Sequence, residues 1–122
     1  MTKSILENLN LKDALQLART KKREKSYDEV ASICSDILLE LPHNKNAKEL
    51  LKQLPYEDFF YKGNDCLNKG ELESAISHYK NALKIRPELA EAHCNLGIVY
   101  KNLVDTENAF ECYENALKIY KN

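Results

Sequence analysis

The residues of this chain best suited to chemistry are its histidines and cysteines, and their spacing does not form a metal site. The histidines are His43, His78 and His93. None of them has a second histidine, a cysteine or a carboxylate four residues away, as a helical ligand pair requires. We therefore predict that no histidine binds a metal or acts in catalysis.

The cysteines show no paired ligand spacing of the CxxC type. They are Cys34, Cys66, Cys94 and Cys112. Each falls at a helical position where a small apolar residue would serve, so we expect reduced thiols in or near the core rather than disulfides or metal ligands. The chain has only three glycines and contains no phosphate-binding glycine motif. We predict no catalytic residue, no metal and no cofactor.

A basic cluster between residues 19 and 25 is the sharpest charge feature. Its main members are Arg19, Lys22 and Arg23. They form either a patch for nucleic acid, phospholipid or an acidic partner, or a solvated helix C-terminus, where cations are favoured. We expect the second, because no aromatic residues are interleaved for base stacking and the net charge of the chain is only −1. Neither nucleic acid nor a membrane is predicted as a partner.

The elements that position these residues follow from an internal repeat of 34 residues. Shifting the chain by this period superimposes residues 56–88 on residues 90–122, with 11 of 33 positions identical. The shared positions include Ala75 and Ala109, as well as Tyr79 and Tyr113. A period of this length indicates a two-helix unit, and the alanines mark places where two helices approach closely.

The repeat resembles the tetratricopeptide repeat family over residues 56–122. The family's pattern of Leu-Gly, aromatic, Ala, aromatic and Ala appears as Leu96, Gly97, Tyr100, Ala109, Tyr113 and Ala116. The preceding copy carries it as Gly63, Cys66, Ala75, Tyr79, Ala82 and Pro87. The chain departs from the pattern at Lys62, Cys66 and Lys121, where the family has a leucine, an aromatic residue and a proline.

The resemblance implies an all-α, right-handed solenoid of about three helix pairs, and the periodicity adds one short inserted helix. We predict a polar leader (1–10), a degenerate first repeat (11–44), an inserted helix and linker (45–55), a second repeat (56–89) and a third (90–122). Leucines and alanines at helical spacing define the first helix, from Leu11 to Lys25. Ser26 and Glu29 form the pattern of a capping box, in which each side chain satisfies a backbone N–H at a helix start.

In this family, the polar residues that flank the Leu-Gly pair line a groove that holds extended peptides. The resemblance places the following residues there: Tyr61, Asn64, Leu67 and Asn68 in the second repeat, and Glu91, Cys94, Asn95, Ile98, Lys101 and Asn102 in the third. Asn64 and Asn95 match two positions of the carboxylate clamp of members that bind chaperone tails. Phe60 stands where that clamp has a lysine, so a chaperone tail is not the expected ligand.

The resemblance thus implies a protein-interaction module that binds a peptide or helix and catalyses nothing itself. Two alternatives stay open, both because the last helix has no capping helix after it: the N-terminal repeat region of a longer glycosyltransferase or sulfotransferase, and a scaffold that self-associates through that helix. The sequence has no apolar run long enough to cross a membrane and no signal-peptide core. We expect an intracellular, cytoplasmic protein.

Overall fold

The computed structural model describes residues 10–121 of the chain, and seven α-helices account for its regular structure in that range. In chain order they are α1 (Leu11–Arg23), α2 (Tyr27–Glu40), α3 (Lys45–Lys52), α4 (Tyr56–Lys69), α5 (Leu72–Ile85), α6 (Ala90–Asn102) and α7 (Thr106–Lys121). The predicted all-α fold of three helix pairs with one short additional helix is therefore confirmed. The predicted leader lies outside the described residues, apart from Asn10.

The chain divides into two compact units, which meet in sequence between Leu54 and Pro55. In the first unit, α1 buries Ala14, Leu15 and Ala18 on one face. The Asn10 side chain caps this helix by accepting a hydrogen bond of 2.8 Å from the backbone N–H of Asp13. Helix α1 is thus fixed at its start by a polar cap and along its length by burial of small and branched apolar residues.

The predicted capping box at the start of α2 is wrong in its chemistry, although the helix begins where the pattern placed it. Ser26 makes no side-chain hydrogen bond to the first backbone amides of α2. Its hydroxyl instead donates to the Glu29 carboxylate at 2.7 Å, and Lys21 forms an ion pair with the same carboxylate at 3.3 Å. Glu29 is therefore held by a cation and a hydroxyl, and the reciprocal satisfaction of backbone amides does not occur.

The second unit consists of two helical hairpins, α4 with α5 and α6 with α7. The alanines that recur every 34 residues, at positions 75, 82, 109 and 116, are all buried. A core cluster around Tyr79 joins the two hairpins, because α5 contributes Ala75 and α6 contributes Ala92, Leu96 and Val99 to the same cluster. The small side chains allow this close approach, as the periodicity predicts.

Each hairpin turns through one residue with a left-handed backbone. These residues are Lys25 (φ 61°), Gly70 (φ 79°) and Val104 (φ 60°). After Gly70, the N–H of Glu71 bonds to the Cys66 carbonyl at 2.8 Å, which closes a Schellman turn. The same closing bond follows the other two turns, at 2.9 Å from Ser26 to Lys21 and at 2.8 Å from Asp105 to Tyr100.

Candidate peptide-binding groove

The candidate groove begins with a glycine on each first helix of the second unit's hairpins. A Cβ atom on Gly63 would lie 2.6 Å from the Cε1 atom of Tyr79, and a Cβ on Gly97 would lie 2.6 Å from the same atom of Tyr113. Real Cβ contacts are essentially never shorter than 3.0 Å. Each tyrosine ring therefore lies directly on a glycine, and this contact fixes how closely the two helices of the hairpin pack.

The buried ring of Tyr79 carries its hydroxyl to the predicted groove residues. The hydroxyl donates to Asn64 Oδ1 at 2.5 Å, and Asn95 Nδ2 donates to the same oxygen at 2.9 Å. Burial raises the pKa of the Tyr79 hydroxyl, and the nearby Asn95 amide offsets part of this effect. The hydroxyl is therefore protonated at neutral pH, and it ties α5 to Asn64 on α4 and Asn95 on α6.

This network decides which groups the two amides offer to a ligand. Asn64 Oδ1 already accepts two hydrogen bonds, so Asn64 contributes its Nδ2 donors. Asn95 has one donor engaged and keeps its Oδ1 as an acceptor. If both amides were turned over, the roles would be exchanged and the pair would still present one donor and one acceptor. A backbone peptide unit has this pairing of groups, whereas a carboxylate offers only acceptors.

The other predicted groove residues lie on α4 and α6, and most of their side chains are solvent exposed. Tyr61 is 66% exposed and Ile98 is 40% exposed, so each leaves an apolar surface in reach of a ligand. Four polar members are also exposed: Asn68, Glu91, Lys101 and Asn102. Leu67 and Cys94 are half-buried. Only Asn64 and Asn95 among these ten residues are joined by a hydrogen bond that the structure describes.

Sequence reasoning missed two tyrosines that belong with these residues. Tyr79 had been assigned only a packing role, and the signal that its hydroxyl reaches Asn64 lay in neither periodicity nor composition. The second is Tyr120 on α7. The Cys94 thiol and the Glu91 carboxylate both raise the pKa of its hydroxyl, the thiol more strongly. Tyr120 thus extends the predicted surface from α6 to the exposed face of α7.

The basic residues of α1 lie in the first unit, and each is described there by itself. Arg19 and Arg23 are exposed, and an Arg23 guanidinium nitrogen donates to the Thr20 hydroxyl at 3.3 Å. Lys22 is half-buried and its ammonium donates to Gln53 Oε1 at 2.5 Å. One of the three cations therefore stabilises the contact between α1 and the end of α3.

The four cysteines are free thiols within helices, and Cys34 and Cys112 are buried. Burial raises the pKa of Cys34 to about 11. Among residues 10–121, no three His, Cys, Asp or Glu side chains come together as a metal ion would require. No helix in the same range combines the length and the apolar character needed to span a membrane.

Comparison with known families now defines the class of this fold and surface. Residues 63–104 match the model described as TPR repeat, and residues 90–122 match the model described as tetratricopeptide repeat. Residues 63–122 therefore belong to the tetratricopeptide repeat family, and the resemblance seen in the sequence is confirmed. Such repeats are scaffolds for protein–protein interaction.

Individual relatives add the fold but no ligand. The "Uncharacterized protein MJ0572" of Methanocaldococcus jannaschii is 29% identical over 73 residues, which are 60% of this chain and 83% of that protein. A crystal structure of MamA is 15% identical, covers 96% of this chain and 83% of its own, and has a TM-score of 0.54. Another MamA structure is 18% identical, covers 98% of this chain and 78% of its own, with a TM-score of 0.55. At these identities the MamA structures support the helical-repeat fold alone.

Proposed function

We propose that the surface of α4 and α6 binds an extended segment of a partner protein by recognising its peptide backbone. The linked amides of Asn64 and Asn95 are the observation that carries this proposal, because together they present one hydrogen-bond donor and one acceptor. Exposed apolar surface on Tyr61 and Ile98 supplies contacts for side chains of the ligand. The module holds its partner and contributes no chemical step.

The same pair argues for an internal segment rather than a free C-terminus. A terminal carboxylate is bound best by cations and several donors. Here the acceptor end of the amide pair would face a carboxylate oxygen unfavourably. Phe60 is also half-buried at the position where clamp-type members of the family place a lysine. The expected ligand is therefore a chain that passes across α4 and α6, with an amide that faces the two asparagines.

A random peptide library displayed on phage tests the proposal with the intact chain. Enriched sequences are synthesised with free and with amidated C-termini, and their affinities are measured by isothermal titration calorimetry. Asn95→Ala is expected to weaken binding about tenfold, the effect of losing one well-formed hydrogen bond in a partly desolvated site. Asn115→Ala, a half-buried asparagine on α7, is the matched control and leaves the affinity unchanged.

The outcomes separate backbone recognition from other modes of binding. Equal affinity for amidated and free peptides supports recognition of an internal segment. Loss of binding on amidation would show a carboxylate site and contradict the proposal. Peptides that bind equally well to Asn95→Ala, or a library without any enriched peptide, would also rule it out. Circular dichroism of each variant excludes unfolding as the cause.

A further inference from the structure

Helix α7 exposes two large apolar side chains at positions that are covered in the preceding repeat. Phe110 is 67% exposed and Leu117 is 56% exposed, and their spacing of seven residues places them on one stripe of the helix. Shifted by 34 residues they correspond to Ile76 and Leu83 on α5. Those two are half-buried and pack against the core cluster to which α6 contributes Leu96. The α7 stripe therefore has the character of a contact surface.

Charges beside this stripe are separated along the helix. Three carboxylates lie in the first part of α7, at Glu107, Glu111 and Glu114, and two cations lie in the last turns, at Lys118 and Lys121. This order suits the helix dipole. It also makes α7 complementary to an antiparallel copy of itself, because the acidic part of one helix then lies beside the basic part of the other. A parallel copy would instead bring like charges together.

We propose that α7 is the interface of an antiparallel homodimer, in which Phe110 packs on Leu117 of the second copy. A two-fold axis between these residues makes the contact occur twice. In this register Glu107 lies within one residue of the level of Lys121 of the second copy, about 1.5 Å along the helix axis. Both ends of the interface therefore gain an attractive charge pair, and the centre gains the apolar contact.

Head-to-tail stacking of a second copy through its α1 does not fit the same surface. In the preceding repeat the stripe is covered by α6, which offers Ala92 and Val99, both fully buried. The first repeat carries Asp13 and Thr20 at the corresponding positions of α1, 79 residues earlier. Packing α1 on Phe110 would bury an unpaired carboxylate, which is costly. The surfaces thus favour pairing of α7 with α7.

Sedimentation equilibrium of the 122-residue chain tests this interface. We expect a reversible dimer with a dissociation constant in the range of about 1–100 µM, since the apolar contact is small. Phe110→Ala and Leu117→Ala are each expected to weaken the dimer about tenfold or more. Leu39→Ala removes a side chain that is 80% exposed on α2 and is the matched control, with no effect on association.

Charge variants test the antiparallel orientation. The pair Lys118→Glu and Lys121→Glu makes α7 acidic throughout, and the pair Glu107→Lys and Glu111→Lys makes it mainly basic. Each double variant alone should dissociate, and an equimolar mixture should recover a dimer, with circular dichroism confirming that both remain helical. A wild-type chain that is monomeric at about 100 µM overturns the proposal. So does a dimer that Asn95→Ala weakens, since α7 would then dock in the groove of another copy.

Discussion

Replacing Gly63 with alanine tests whether the contact between glycine and tyrosine links the core to the groove. The new Cβ would lie 2.6 Å from Tyr79 Cε1, and ordinary contact begins at 3.4 Å, so the ring must move by about 0.8 Å. Tyr79 is fully buried, and the Phe60 ring lies 6.0 Å from its own ring. The ring has little room to move, and a shift of this size would break the 2.5 Å bond from its hydroxyl to Asn64.

The magnitude follows from three terms. Overpacking of a core costs about 1–3 kcal/mol, and a lost buried hydrogen bond costs about 1 kcal/mol. Alanine in place of glycine inside a helix returns about 1 kcal/mol. Gly63→Ala should therefore lower the free energy of unfolding by about 2 kcal/mol. Gly97→Ala makes the same contact with Tyr113, but that ring is half-exposed and can move towards solvent, so we expect a net change near zero.

Urea unfolding of the two variants, followed by far-ultraviolet circular dichroism, measures this difference. The side-chain amide resonances of Asn64 and Asn95 in NMR spectra should shift in Gly63→Ala and stay in place in Gly97→Ala. Equal stability changes in both variants would refute the argument that the burial of the tyrosine sets the cost. A destabilised Gly63→Ala with unchanged asparagine resonances would refute the link between the ring and the groove.

Two further predictions concern the α6–α7 turn and the core of the first unit. Val104→Gly should raise the free energy of unfolding by about 1 kcal/mol, because a β-branched residue is strained at a φ of 60° and the side chain is 81% exposed, whereas Gly70→Val should lower it by at least as much; urea unfolding that shows the reverse order would contradict the strain argument. The folded state holds the Cys34 proton up to a pKa of about 11 against an ordinary value of 9.0, so stability is unaffected below pH 9 and falls as the pH rises towards 11, by up to about 1.4 kcal/mol per pH unit. Cys34→Ala should show a shallower decline than the wild-type chain, and identical slopes would show that the Cys34 thiol does not titrate differently on folding.

Much of the fold follows from local pattern. The alanines at 34-residue spacing and the glycine at each tyrosine position depend on a steric requirement that any repeat of this kind must meet, so periodicity alone reveals them. The turns at Gly70 and Val104 were also predicted, the first from its glycine. Ser26 was misjudged because a serine with a glutamate three residues on satisfies the capping pattern, while Lys21 competes for that glutamate in the folded chain.

The candidate site was predictable only residue by residue. The resemblance selected Asn64 and Asn95 as groove positions, and nothing in their spacing of 31 residues showed that one amide would accept from the other. The hydroxyl of Tyr79 was hidden for a different reason. Its ring satisfies a packing pattern completely, and a sequence pattern that explains a residue's apolar part gives no reason to look for a role of its polar end.

The left-handed turns carry a practical consequence for rebuilding this chain. Lysine, glycine and valine occupy the same turn position, and the closing bond after each joins backbone atoms only. The connection between the two helices of a hairpin is therefore almost indifferent to side-chain identity. A designer could exchange these loops, or graft an affinity tag or fluorophore at residue 25 or 104, without touching the surfaces that distinguish one hairpin from the next.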